Sequence, residues 1–282
     1  MSIDAGRPRV TQELRDVGAI PPVIEQIRLV WTWRPFIIGL ARDELRASNM
    51  HTFLGNLWQI LNPVLQILVY WLVFDLVLDV SRGTDNFITF LASGIFFYRY
   101  TQVSLTQGAG AIQGNGNLVR SIAFPRLLLP VTSMVKETLA SASAFGVMLV
   151  VLLVGGETPS LRWLGVVPLL ALQFVFNLGG TLILARLANR FPDVRNFLSF
   201  FFRLLLYGTG VLFVFDNRIE SPAANTLIEA NPLFGFINAY RWTLLDMKLN
   251  SSAFAITLIW TPVLLAVGLW YFRNGEEEYG RL

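Results

Sequence analysis

The sequence has no cysteine and a single histidine, His51. The first absence excludes a disulfide framework and a thiolate metal site. The second excludes a histidine-cluster metal centre within one chain. Charge is scarce as well. Asp, Glu, Lys and Arg make up 15% of the 282 residues, against ~25% in a soluble domain. The net charge of +3 is too small to point to nucleic acid, and no nucleic-acid partner is expected. The opening stretch MSIDAGRPRVTQELRD is polar and lacks the apolar core of a signal peptide, so none is expected. A nucleotide-binding P-loop is missing too. The glycine-rich run GAGAIQGNGN (108–117) contains no lysine and follows an apolar segment rather than a strand. It reads as a flexible helix exit. Any ATP-driven work would therefore place ATP and Mg on a separate subunit, with no cofactor in this chain.

What the sequence has in excess is hydrophobicity, at 54%, gathered into runs long enough to cross a hydrocarbon core, which takes ~20 helical residues. Six spans are expected, at about 60–80, 87–106, 127–154, 163–185, 197–215 and 253–272. In lipid they must be helices, because no water satisfies the backbone there. The expected fold class is an all-α integral membrane protein, with a cytoplasmic N-terminal arm and interfacial helix over 1–52 and a transmembrane domain over 53–282. Lys and Arg set the orientation. With the N-terminus inside, the inner side holds Arg7, Arg9, Arg15, Arg28, Arg34, Arg42, Arg46, Arg120, Arg126, Arg186, Arg190, Arg195, Arg273 and Arg281. The outer side holds Arg82, Arg162, Arg218, Arg241 and Lys248. Both termini are thus expected in the cytoplasm.

From Phe36 the N-terminal arm separates into an apolar side (Phe36, Ile37, Ile38, Leu40, Ala41, Leu45) and a polar one (Arg42, Asp43, Arg46), with Glu44 spoiling the apolar side. This predicts a helix lying along the inner leaflet, anchored by Trp31 and Trp33; the alternative is a cytosolic helix packed on a partner. The connection 216–250 is too apolar for a solvated loop and too short to cross twice. It predicts two short helices dipping into the outer leaflet, broken at Asn231-Pro232.

Few residues offer chemistry. Asp75 and Asp79 lie one turn apart at the outer end of span one and read as a water-boundary pair before a metal or acid pair. Lys136 and Glu137 fall in the inner third of span three. Being adjacent, they are expected to point apart and to need separate partners. Arg99 and Arg203 are expected to face the bundle or a wet cavity, or to snorkel to an interface. Aromatics are plentiful, at 13%. Most serve as belt and lipid-facing packing, but a channel lined by flat apolar faces would let sugar rings stack and slide.

The order RDELRASNMHTFLGNLWQILNP (42–63), NLVRSIAFPRLLLP (117–130), RFPDV (190–194) and NPLFGFINAYR (231–241) resembles the membrane subunits of ABC-2 type exporters. Within these it looks like the Wzm-type exporters of O-antigen, teichoic acid and related polysaccharides. The resemblance runs from about residue 28 to the C-terminus. It departs at GTGVLF (208–213), where relatives often carry a Ser-Pro-Val-like element. The style of the chain resembles actinobacterial members, whose cargo would be a lipid-linked galactan.

The resemblance implies a homodimeric permease of the bacterial cytoplasmic membrane, paired with two cytoplasmic ATPase subunits and moving a polyprenyl-diphosphate-linked polysaccharide among membrane lipids. It implies that Asn117, Leu118, Arg120, Phe124, Pro125 and Arg126 couple to the ATPase. The prolines there end helices and Pro130 can start the next, while Ile122, Ala123 and Phe124 form an apolar knob that wants a partner. Trp31, Trp33, Arg42 and Arg46 would receive the lipid headgroup. Tyr70, Trp71, Phe74 and Tyr207 would line the glycan channel. Asn231, Pro232, Tyr240 and Arg241 would form the outer gate. No residue is expected to be catalytic. The alternatives are an ABC-2 exporter of small drugs or lipids, separable only by cargo; a membrane-embedded glycosyltransferase or phosphatase, which the lack of metal-type clusters disfavours; and an ion-coupled carrier, a class that often shows inverted repeats, of which the sequence has no sign.

Overall fold

A computed structural model describes residues 23–48, 53–55, 57–77, 86–116, 118, 124–212 and 222–275. Asp79, Asn117, Arg120 and Arg218 lie outside the described residues, and so does the side chain of Asp75. Every regular element among those described is helical. The order is α1 (Val23–Thr32), α2 (Arg34–Ala47), α3 (Leu57–Trp71) running into a π-helical turn (Leu72–Val77), α4 (Phe87–Ala109), α5 (Ala111–Gly114) and α6 (Leu128–Val154). A 3-10 turn (Leu161–Gly165) then leads into α7 (Val166–Arg190), followed by α8 (Val194–Tyr207), α9 (Pro222–Glu229), α10 (Pro232–Leu244) and α11 (Ser251–Arg273).

Local chemistry sets the helix ends. Pro35 sits in the first turn of α2, where its missing N–H has no partner to lose. Gly55 adopts φ +51° in the turn before α3, a conformation that favours glycine. Asn86, Asn231 and Asn250 cap α4, α10 and α11, accepting from the backbone N–H of Thr89, Leu233 and Ala253. Pro130 falls in the first turn of α6, as a helix-starting proline should.

Three helical segments among the described residues are long and apolar enough to cross a membrane: Leu128–Val154, Leu161–Arg190 and Ser251–Arg273. They correspond to expected spans three, four and six. The other three differ for identifiable reasons. Span one is an apolar helix of 15 residues, with Pro63 inside it, whose continuation widens into the π turn. Span two, α4, has 23 residues, but Ser93, Arg99, Thr101, Gln102 and Ser104 dilute its apolar character. Span five stops as a helix at Tyr207, because Gly208 and Gly210 (φ +68°) follow.

α4 lies at the centre of the chain. Sixteen residues along it are buried, and it packs on α3, α6, α7, α8 and α10. α7 and α11 form the largest helix pair. Their backbones meet at Gly179 and Gly268: a Cβ on Gly179 would sit 2.6 Å from the Leu264 carbonyl carbon, and one on Gly268 would strike the Gly179 carbonyl oxygen. Only glycine fits such a crossing.

Candidate functional site

At one end of the chain α2 lies against α6. Ile37 and Ala41 are buried there, Ile37 in a cluster with Ile112, Leu127, Leu128 and Val131. Much of the apolar face assigned to lipid thus meets the chain's own helix, while Ile38 on its flank stays exposed. Arg42 and Arg46 are exposed on the far side, one turn apart. Trp31 is 69% exposed, with the Arg34 guanidinium 4.7 Å from its ring centroid. Trp33 is half-buried and meets Phe36 edge-on at 5.6 Å. Only Trp31 therefore projects freely.

Phe36 continues the contact to Phe124, 6.3 Å away. Phe124, Pro125 and Arg126 are half-buried and lead into α6 through backbone N–H groups of Leu128 and Leu129, which donate to the Pro125 and Arg126 carbonyls. Leu118 is half-buried as well. The Phe124 end of the stretch singled out for coupling is therefore braced against α2. Two glycines of the run beside it have a packing explanation, while Gly114 and Gly116 border open space. Gly108 makes room for Thr181, and Gly110 lies under the Arg195 guanidinium, 3.1 Å from where a Cβ would stand.

Glu44, the residue that spoiled the apolar side of α2, has a partner. It stands 3.7 Å from the Lys136 ammonium, which is also 3.3 Å from Glu137. The expectation that Lys136 and Glu137 point apart is corrected. The flexible lysine stem lets neighbouring residues pair while reaching a second carboxylate on α2.

A polar chain runs through the middle of the molecule. The Tyr240 hydroxyl donates to Gln173 Oε1 at 2.8 Å. Gln173 Nε2 donates to the Phe97 carbonyl and to Thr101 Oγ1 at 2.9 and 2.8 Å. The Thr101 hydroxyl donates to Asn177 Oδ1 at 2.9 Å. All four side chains are buried. The Tyr240 ring also stacks on Phe97. Sequence reasoning missed Gln173 and Asn177. Their spacing of four, continued by Thr181, was the available signal: a polar stripe down one face of an otherwise apolar helix.

Arg241 is buried next to Tyr240. Its guanidinium donates to the carbonyls of Gly210 (2.6 Å), Val211 (2.9 Å) and Phe90 (3.1 Å) and lies over the Phe90 ring. It is not the solvent-facing loop cation counted in the charge distribution. It caps the residues that follow α8, where helix carbonyls have run out of partners. Asn231 adds Nδ2 to the Gly208 carbonyl at 3.2 Å, and the Tyr98 hydroxyl donates to the Phe202 carbonyl. The break at Asn231-Pro232 separates α9 from α10 where expected. Of the four residues assigned to an outer gate, Tyr240 and Arg241 face the chain's own core, and Asn231 and Pro232 are half-buried.

The channel candidates divide in the same way. Tyr207 is 49% exposed, on a face of α8 shared with Phe197, Phe200, Phe201 and Leu204. Tyr70, Trp71 and Phe74 are half-buried against the core, with Tyr70 and Phe74 6.3 Å apart. The exposed face of α3 and its π-helical continuation carries Leu65, Leu68, Val69, Leu72 and Val73 instead. Among the described residues no group of three or more His, Cys, Asp or Glu side chains is placed to hold a metal ion.

Long apolar helices packed around a buried polar spine give the described residues the organisation of a multi-span membrane protein. Residues 37–245 match the ABC-2 type transporter family, and the chain belongs to it. It is similar to the O-antigen export system permease protein RfbA of Klebsiella pneumoniae, 29% identical over 247 residues, which cover 87% of this chain and 94% of that one. It is also similar to RfbA of Myxococcus xanthus, 27% identical over 261 residues, 91% and 98% of the two chains. The polysialic acid transport protein KpsM of Escherichia coli is 22% identical over 237 residues, 83% and 91%.

Proposed function

We propose that this chain is the membrane-spanning subunit of a polysaccharide exporter. It works as a homodimer with two separate ATPase subunits and moves a polyprenyl-diphosphate-linked glycan, of O-antigen, teichoic-acid or galactan type, out across the bacterial cytoplasmic membrane. The observation that carries this reading is the near full-length likeness to two O-antigen export permeases. Six crossings then comprise the three long apolar segments together with α3, α4 and α8. Both termini lie in the cytoplasm, as the arginine distribution favours, and α2 lies along the inner leaflet.

ATP and Mg are bound by the partner, and this chain supplies no cofactor. The coupling stretch from Asn117 through Leu118, Arg120, Phe124, Pro125 and Arg126 docks on that partner and passes its motion to α2 through the Phe36–Phe124 contact. Arg42 and Arg46, spaced for a compact anion and free to reach it, receive the diphosphate, with Trp31 and Trp33 beside them. Tyr207 presents its ring to the glycan on the open face of α8, and Tyr70, Trp71 and Phe74 add only the edges that their packing on the core leaves exposed. Asn231, Pro232, Tyr240 and Arg241 fix the α9–α10 gate to the end of α8.

The test is purification with the co-encoded ATPase, followed by identification of the lipid-linked glycan retained or exported. A glycan cargo is expected, together with ATP hydrolysis that depends on the partner. ATP hydrolysis by the isolated chain, or a complex that moves only small lipids, would overturn the reading.

A further inference from the structure

A cavity of about 70 Å³ opens between α4 and α6, lined by Phe96, Arg99, Tyr100, Glu137, Ser141 and Phe145 among others. The transport reading does not use it. Arg99 is half-buried on its wall and makes no hydrogen bond or ion pair with any described residue. Glu137 faces it across the same space. Tyr100 is occupied, sharing a hydrogen bond with Thr138 at 2.9 Å, whereas the Arg99 fork is available. Depth is set by the ion pairs. Glu44 of the surface helix α2 reaches Lys136, and Lys136 reaches Glu137. The polar part of the cavity therefore lies within side-chain reach of α2, which the proposed topology puts at the headgroup level. The remaining wall, with Phe96, Val103, Ala140, Ala144 and Phe145, is apolar.

We infer that this half-open cavity seats the polar end of a zwitterionic aminophospholipid, its phosphate on Arg99 and its ammonium sharing Glu137 with Lys136, while the glycerol and acyl chains lie outside it along the apolar rim. Charge decides between phospholipid classes. Arg99 and Lys136 are positive, Glu44 and Glu137 negative, so the cluster is neutral and matches a neutral headgroup with separated charges. A purely anionic headgroup would satisfy Arg99 but meet Glu137 unfavourably, and the diphosphate of the cargo would meet it more so. The guanidinium suits a phosphate because its donors form a planar fork. An ionised side chain at this depth with no hydrogen-bond partner among the described residues is ordinarily aimed at a wet or occupied cavity. The inference rests on the membrane topology proposed above, not on the identity of the cargo.

The experiment uses the full chain, purified in detergent, stripped of lipid and titrated separately with phosphatidylethanolamine, phosphatidylglycerol and inorganic pyrophosphate. Native mass spectrometry reads the bound species. One phosphatidylethanolamine per chain is expected, held at least tenfold more tightly than phosphatidylglycerol. Glu137→Gln should reverse the preference, weakening phosphatidylethanolamine and strengthening phosphatidylglycerol, a change of sign that a purely structural role does not produce. Ser141→Leu fills the cavity without touching the charges and should abolish retention of both. In a chain without native cysteine, Ser141→Cys should be shielded from a thiol reagent by phosphatidylethanolamine and not by pyrophosphate. Equal affinity for the two lipids, equal loss of both in Glu137→Gln, retention by Ser141→Leu, or shielding by pyrophosphate would each overturn the inference. None of these outcomes bears on whether a glycan is exported.

Discussion

Replacing Arg241 by methionine removes a buried cation while keeping most of its length and its apolar stem. Three carbonyls, those of Gly210, Val211 and Phe90, lose a donor, and Gly210 and Val211 have no helix of their own to turn to. A buried carbonyl left without a partner costs about 1–3 kcal/mol. The desolvation cost of the guanidinium disappears with it and offsets part of that sum. Phe90 keeps the Ser93 hydroxyl as a donor, so Gly210 and Val211 carry the loss, about 2–6 kcal/mol for the two together, and the net after that offset should be on the order of 2–4 kcal/mol. That is a large fraction of the ~5–15 kcal/mol that holds a typical fold. The damage should be local, because the bonds tie the residues after α8 to α4 and α10 and to nothing else. Thr209 is fully buried, as is Ser104 further along α4, so a single cysteine at either position reports on opening. Thr209→Cys should resist a thiol reagent in the parent chain and label at least tenfold faster when combined with Arg241→Met. Ser104→Cys should stay protected in both backgrounds. Labelling of Thr209→Cys within twofold of the parent rate would refute the reasoning, since it would mean the Gly210 and Val211 carbonyls do not depend on Arg241.

Gly179→Ala should lower folded yield and thermal stability, by about 1–3 kcal/mol from overpacking, because its Cβ falls 2.6 Å from the Leu264 backbone; unchanged melting in detergent would contradict this. Phe36→Ala and Phe124→Ala should each reduce ATPase retention in a pull-down, and the pair should show a coupling energy of about 0.5–1.5 kcal/mol, typical of aromatic contacts; strict additivity would mean the contact transmits nothing. Arg42→Lys and Arg46→Lys should impair export nearly as much as the alanine variants if two guanidinium forks bind diphosphate; full export by both lysine variants would reduce their role to surface attraction of ~1 kcal/mol per residue.

The apolar runs made the helices legible because lipid leaves the backbone no alternative to internal hydrogen bonds, and α6, α7 and α11 begin and end within a few residues of the expected bounds. α8 was over-extended because the apolar pattern continues past Tyr207, while Gly208 and Gly210 end the helix without changing hydropathy. Glu44 looked like a flaw in an amphipathic face because a sequence read one helix at a time has no place for Lys136, 92 positions later, to answer it. Arg241 was read as a loop cation for a related reason: its three acceptors are backbone carbonyls, which carry no sequence signature. The aromatic candidates were visible as residue types. Their direction was not: Gln59, Asn62 and Gln66 put a polar stripe on α3, but in a membrane span such a stripe can face the chain's own core or a second copy, so periodicity does not say which side the aromatics meet.

Gly179 and Gly268 bring two backbones together with no side chain between them, and a contact without rotamers has no soft degree of freedom. α7 and α11 therefore behave as one stiff spar, and the Gln173 bonds to Phe97 and Thr101 add α4 to it. The compliant parts lie elsewhere. α3 is interrupted by Pro63 and ends in a widened turn, and α8 is short and tethered near its far end by Arg241 and Asn231. On the coupling proposed above, a motor pulling on α2 and the Phe124 stretch would leave the spar standing and lever these two helices against it; the hinge would then run along the seam between rigid and compliant helices, and mutations there should alter stroke without altering assembly.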